Sequence, residues 1–188
     1  MQNYSRENLW DESTVPTISD DLSNKAANSF SKSELEKCSK GQLFGIGNAQ
    51  LPSAPLLMLD RILDIQSEGG EFGRGYAVAE FDISPESWFF VHHFEGDPIM
   101  PGSLLVEAMW QLAGFHLAWS GHSGKGRVLD GGRTRFAEPI YSAEQSLLIT
   151  IQINKIVLNP RPINIANGTI AIDGEIKCRC NAVKVALL

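Results

Sequence analysis

Apolar and polar residues alternate from Tyr76 to Ile83, the pattern of a strand with one face buried. The preceding run LLMLDRILDIQ (residues 56–66) is set off from it by a Gly69-Gly70 turn. After the glycine-rich SGHSGKG, three more strand-like runs are predicted, from Arg127 to Phe136, Ser146 to Val157 and Ile163 to Ile176. Lys177 to Leu188 supplies a further strand. Between the two groups lies SLLVEAMWQLAGFHLAW, from Ser103 to Trp119, an apolar segment long enough for a helix. A strand pair, one long helix and then several long strands predict an α+β fold. The earlier part is plainer. SFSKSELEKC, from Ser29 to Cys38, has the composition of a short helix, and Gln42 to Pro55 is an irregular lead-in with two glycines and two prolines. Residues 1–28 are polar and are expected to be a mobile tail, with residues 29–188 forming one domain.

The helical segment has no polar face. Leu104, Leu105, Val106, Met109, Trp110, Leu112, Phe115 and Leu117 are spread around the whole wheel, so the helix is either buried or membrane-spanning. At about 1.5 Å per residue it reaches only ~25 Å, short of a ~30 Å hydrocarbon core. Burial inside a protein is therefore expected, with sheet wrapped around it. That makes Glu107 conspicuous, because a carboxyl in an apolar interior must find partners or hold its proton. Gln111 is one turn further on and shares its face.

Composition narrows the picture. The chain has 188 residues, 43% of them hydrophobic, which suits one domain with a sizeable core. A formal net charge of −6 argues against nucleic acid or an anionic membrane as partner. Cys38, Cys178 and Cys180 are an odd set without the C-x-x-C spacing of a zinc or redox site. They read as reduced packing residues, Cys178 and Cys180 sharing a strand face. The first residues have neither the basic nor the apolar region of an export signal, so a cytoplasmic protein is expected.

The segment leading into the helix carries the candidate chemistry. In HHFEGDPIMPGS, His93 stands ten residues before Ser103, with Gly96, Pro98, Pro101 and Gly102 between them. The prolines restrict the backbone, and Gly102 lets it enter the helix where N–H groups have no intrahelical partner. Such donors, backed by the helix dipole, suit a developing oxyanion. One stretch thus offers a base (His93), an oxyanion donor (the Gly102 N–H) and an acid (Glu107). These are the groups needed to remove a proton from one carbon and a hydroxyl from the next.

At these residues the chain resembles the bacterial 3-hydroxydecanoyl-acyl-carrier-protein dehydratase/isomerase family. The likeness runs from SFSKSELEKCSKGQLFGIGNAQLPSAPLLMLDRI through WFFVHHFEGDPIMPGSLLVEAMWQLAGFHLAW to NAVKVALL, about 160 residues in all. The resemblance implies a hot-dog fold, a long helix wrapped by an antiparallel sheet, pairing into a homodimer with shared sites. It implies His93 as catalytic base, Gly102 as oxyanion-hole glycine, Glu107 as the acid and Gln111 as the glutamine that holds the leaving water. Histidine and acid would come from opposite subunits. His92 receives no role, and Ser103 is treated as a helix-start residue. Neither cofactor nor metal is expected.

Two departures from the family pattern change the expectation. Glu107 stands where this branch usually has aspartate; glutamate is typical of the sister branch, which dehydrates and usually does not isomerise. The expected activity is therefore 3-hydroxyacyl-carrier-protein dehydration to a trans-2-enoyl product, in fatty acid or polyene-type synthesis. A bifunctional dehydratase/isomerase is the alternative, followed by a hot-dog thioesterase or a non-catalytic acyl-binding subunit. The second departure is Leu158, Asn159 and Pro160, where the family tends to be basic. Lys155, Arg161 and Lys184 remain as expected docking residues for an acyl carrier protein.

Overall fold

The structure, a computed structural model, describes residues 28–144 and 146–188. The tail expected over residues 1–28 lies outside the described residues except for its last position. The elements run α1 (Lys32–Ser39), β1 (Arg61–Gln66), β2 (Tyr76–Asp82), α2 (Trp88–His92), α3 (Gly102–Trp119), β3 (Gly126–Asp130), β4 (Arg133–Phe136), β5 (Ser146–Val157), β6 (Ile163–Ile172) and β7 (Glu175–Leu187). All strand pairs are antiparallel, in the order β1-β2-β5-β6-β7-β3, with β4 also pairing β7.

The strand β5 shows why the sheet forms. Leu147, Ile149, Ile151 and Ile153 alternate onto one face and are wholly buried. That face meets α3, whose Met109, Leu112, Ala113 and Phe115 belong to the same core. The helix packs along β2, β5, β6 and β7, so the sheet curls around it. Gly168 on β6 allows the closest approach: a Cβ there would come within 2.5 Å of Met109 Sδ. Burying these apolar surfaces contributes roughly 1.5–3 kcal/mol per large side chain. No helix among the described residues is long and apolar enough to cross a membrane.

Four boundaries differ from the sequence reading. The run expected from Ile163 to Ile176 is two strands, because Asp173 (φ 50°) and Gly174 (φ 82°) make a two-residue turn and Ile172 pairs with Glu175. Two successive positive φ values are what a type I′ hairpin needs, and Asp-Gly supplies them. The run from Arg127 to Phe136 is likewise divided, at Gly131-Gly132, into β3 and β4. The five-residue helix α2 was not anticipated, and the helix expected from Ser29 begins instead at Lys32. Ser31 sets that start: its backbone N–H and hydroxyl both donate to Glu34, at 2.8 and 2.7 Å. The α+β architecture itself is the one expected, a long helix held in a curled antiparallel sheet, which is the hot-dog fold.

Candidate active site

Helix α2 delivers the chain to His93, and a tight turn follows. The Phe94 N–H donates to the Asp97 carbonyl at 2.8 Å, and the Asp97 N–H donates back to Phe94 at 3.0 Å. The Ile99 N–H returns to the His93 carbonyl at 2.8 Å, and the Met100 N–H donates to Ile140 at 2.8 Å. These bonds fix the loop against the segment that follows β4. His93 Nδ1 lies 3.1 Å from the Ile99 carbonyl oxygen. A carbonyl only accepts, so Nδ1 carries the hydrogen and Nε2 keeps its lone pair. The Phe94 ring stacks on the imidazole with centroids 3.9 Å apart.

Pro101 is the N-cap of α3 and Gly102 its first residue. The Gly102 N–H makes no backbone hydrogen bond among the described residues. His93, Gly102 and Ser103 line a cavity of about 510 Å³ together with Phe136 and Ile140. His93 and Gly102 therefore open onto one space.

Glu107 is elsewhere. It lines a second cavity, of about 140 Å³, with Gln111, Leu51, Phe44, Phe115 and Arg127. Its Oε1 accepts from Gln111 Nε2 at 2.9 Å. The same Nε2 donates to the Leu56 carbonyl at 2.8 Å, and Gln111 Oε1 accepts from the Met58 N–H at 2.9 Å. Both hydrogens and the oxygen of the buried amide are engaged. Gln111 thus ties the lead-in segment to the helix and steadies Glu107, with no hydrogen left over for a departing water.

Helix geometry explains the separation. Five residues from Gly102 to Glu107 turn the helix by about 140°, so the two face different sides of it, whereas Glu107 and Gln111 are only about 40° apart. In a single chain His93 and Glu107 line different cavities.

His92, His116, Cys178, Cys180 and the expected docking cations fall outside both cavities or serve packing. His92 ends α2 on the surface. His116, deep in α3, places Nε2 3.0 Å from the Gln66 carbonyl, and burial lowers its pKa. Cys178 and Cys180 are fully buried, as expected, and burial pushes the Cys178 thiol up to about 12. Lys155 and Lys184 share one sheet row, each opposite Ile165, but Lys184 is held by Asp130 at 2.8 Å. Arg161 lies exposed between β5 and β6, and none of the three lines either cavity. Sequence reasoning did not single out the Ile99 carbonyl, which sets the His93 tautomer, or Phe136, whose ring covers Gly102. Pro98 and Pro101, bracketing Ile99, were the available signal for the first; nothing local marked the second.

Solved structures of the same architecture exist at low identity. A chain of the dehydratase heterocomplex ApeI:P from Xenorhabdus doucetiae superposes with a TM-score of 0.57 at 17% identity, over 73% of this chain and 88% of that one. A hypothetical thioesterase with coenzyme A from Streptococcus pneumoniae gives 0.47 at 13% identity, over 70% and 88%. AziG from S. sahachiroi gives 0.45 at 18% identity, over 60% and 83%. At such identities the likeness is one of fold. The sequence itself is more specific: residues 51–181, more than half of the chain and including every residue of both cavities' polar lining from the His93 loop to Gln111, match the FabA-like domain. The chain belongs to the FabA-like domain family.

Proposed function

We propose that two copies of this chain form a 3-hydroxyacyl thioester dehydratase whose substrate is carried on an acyl carrier protein. The observation that carries the reading is the His93 imidazole, held by Ile99 with Nε2 free in the cavity at the start of α3. That is a general base beside an unpartnered backbone donor.

In the proposed reaction, His93 Nε2 takes the proton from C2 of the substrate. The electron pair moves toward the thioester carbonyl, whose oxygen accepts from the Gly102 N–H. As the C2–C3 double bond forms, the C3–O bond breaks, and the hydroxyl takes the proton of the Glu107 carboxyl and leaves as water. His93 ends protonated and Glu107 ionised; return of one proton through solvent resets the site. Because base and acid of one chain line different cavities, Glu107 is supplied to each His93 by the second copy. Gln111 is a positioning residue. The longer glutamate does not hold the geometry for moving a proton between C4 and C2, so the product is trans-2-enoyl without cis-3-enoyl thioester. The reaction serves fatty-acid or polyene-type synthesis.

The test is incubation with a ladder of 3-hydroxyacyl carrier-protein substrates, with 2-enoyl and 3-enoyl products resolved separately. Trans-2-enoyl product alone supports the proposal. Abundant cis-3-enoyl product would assign bifunctional dehydration and isomerisation, and release of free thiol would assign a thioesterase.

A further inference from the structure

The side chains lining the His93 cavity are mostly apolar, among them Ile99, Met100, Leu105, Phe136 and Ile140. One charge interrupts them. Glu138, two residues beyond Phe136, lies on the cavity wall, and no other Asp, Glu, Lys or Arg lines this cavity among the described residues.

The position of Glu138 is fixed from both sides. The Ala137 N–H donates to the Lys177 carbonyl at 2.9 Å, and the Ile140 carbonyl accepts from the Met100 N–H at 2.8 Å. The carboxylate itself accepts from Lys177 Nζ through Oε2, at 3.0 Å. Lys177 is nearly buried and also donates to Glu175 at 2.9 Å, so its ammonium group is a fixed anchor. Glu138 Oε1 accepts no hydrogen bond among the described residues. Stability gives little reason for the arrangement, because an ion pair whose carboxylate is 67% exposed contributes little.

The proposed reaction does not use this oxygen. A carboxylate close to the thioester carbonyl would oppose the negative charge that develops there. What a fixed carboxylate with a free oxygen recognises is a donor, through a charge-assisted hydrogen bond. The acyl group offers one donor, the 3-hydroxyl, which belongs to Glu107. The thiol side offers others, because a carrier protein holds its thioester on a chain interrupted by amide N–H groups. From the thioester carbonyl carbon to the nearest amide nitrogen there are four bonds, about 5 Å in an extended chain. Phe136 covers Gly102, where the proposed reaction binds that carbonyl, and the two residues from Phe136 to Glu138 span at most about 7 Å. The lengths are comparable, so the amide nearest the sulfur passes Glu138.

We infer that Glu138, anchored by Lys177, is a specificity-determining residue that binds the amide N–H nearest the sulfur in the arm of the thioester. This rests on the dehydratase reading for the placement of the thioester, and its test separates the two. One 3-hydroxyacyl group is offered as its N-acetylcysteamine thioester, which keeps the nearest amide, and as its pentyl thioester, which has the same length and no amide. Turnover and, by ligand-observed NMR, affinity are measured for the unmodified protein, Glu138→Ala, Glu138→Gln and Lys177→Met. The unmodified protein is expected to prefer the amide-bearing thioester by about tenfold in kcat/KM, through KM rather than kcat. Glu138→Ala reduces that preference to about twofold or less. Glu138→Gln keeps an acceptor oxygen and Lys177→Met frees the carboxylate without removing it, so both fall between. Because each preference is a ratio within one protein, a general loss of activity in a variant cancels. Absence of the preference in the unmodified protein, or its persistence in Glu138→Ala, overturns the inference. If neither thioester is dehydrated, the dehydratase reading falls, and the same ratio read from affinity still decides the arm contact.

Discussion

Around Gly102 the site is built from loop, and around Glu107 it is built from helix. His93 is placed by a short turn and one carbonyl contact, is half-buried, and opens onto a large cavity. Glu107 is placed by a buried amide that joins three partners, and it opens onto a cavity less than a third as large. The difference teaches how one short segment serves two sites. The helix turn between Gly102 and Glu107 directs the two to different sides, so Glu107 and the His93–Gly102 pair line different cavities of one chain. The His93 ring is held by one carbonyl contact, whereas Glu107 is held through an amide with three partners.

The comparison breaks most visibly at the loop. His93→Ala removes the base while leaving the Ile99 and Met100 backbone bonds intact, so a loss of dehydration of about 10²-fold or more is expected with an unchanged melting curve. Turnover near the unmodified level would show that the proton goes elsewhere. Glu107→Gln keeps an oxygen able to accept from Gln111 but cannot supply a proton. Dehydration should fall by a similar order, while Glu107→Asp retains part of it. Equal turnover in Glu107→Gln would remove the acid from the account.

Gln111→Leu tests the locked side. It leaves the Glu107 carboxylate, the Leu56 carbonyl and the Met58 N–H without their partner, and a cost of about 2–3 kcal/mol is expected in urea denaturation. A cost under about 0.5 kcal/mol would mean that the amide does not fasten the lead-in segment to the helix.

The smallest effect concerns His116. His116 is fully buried and burial lowers its pKa in the folded state. The unfolded chain therefore takes up the proton first, so stability holds above about pH 6.5 and declines as pH falls below it. In His116→Gln the slope of stability against pH between 7.5 and 5.5 should be shallower than in the unmodified protein. An unchanged slope would locate the acid sensitivity in other groups.

Much of this was legible in the chain. A helix apolar on every side announced its own burial, and the alternation from Ser146 to Val157 matched β5 at both ends. His93, Gly102, Glu107 and Gln111 could be named because a loop-to-helix junction concentrates them in one stretch. What escaped had physical causes. The Asp173-Gly174 turn was present as a dipeptide, but the apolar run continues on both sides and hides it. The partition of His93 and Glu107 between cavities came only through the family resemblance, because it depends on what packs against each helix face, which no local pattern reports. Lys184 stood in sequence as a docking charge, and only the register of β3 against β7 shows that Asp130 already holds it.

The central claim is that each site takes His93 from one chain and Glu107 from the other. Inactive His93→Ala and Glu107→Ala chains are mixed in equal amounts and allowed to exchange, and dehydration of a 3-hydroxyacyl thioester is followed. Half of the dimers formed at random are mixed, and each has one site with both residues intact, so recovery to about a quarter of the unmodified activity is expected. If subunit exchange is verified by mass spectrometry and activity stays at the level of the separate variants, the two residues do not share a site across the dimer.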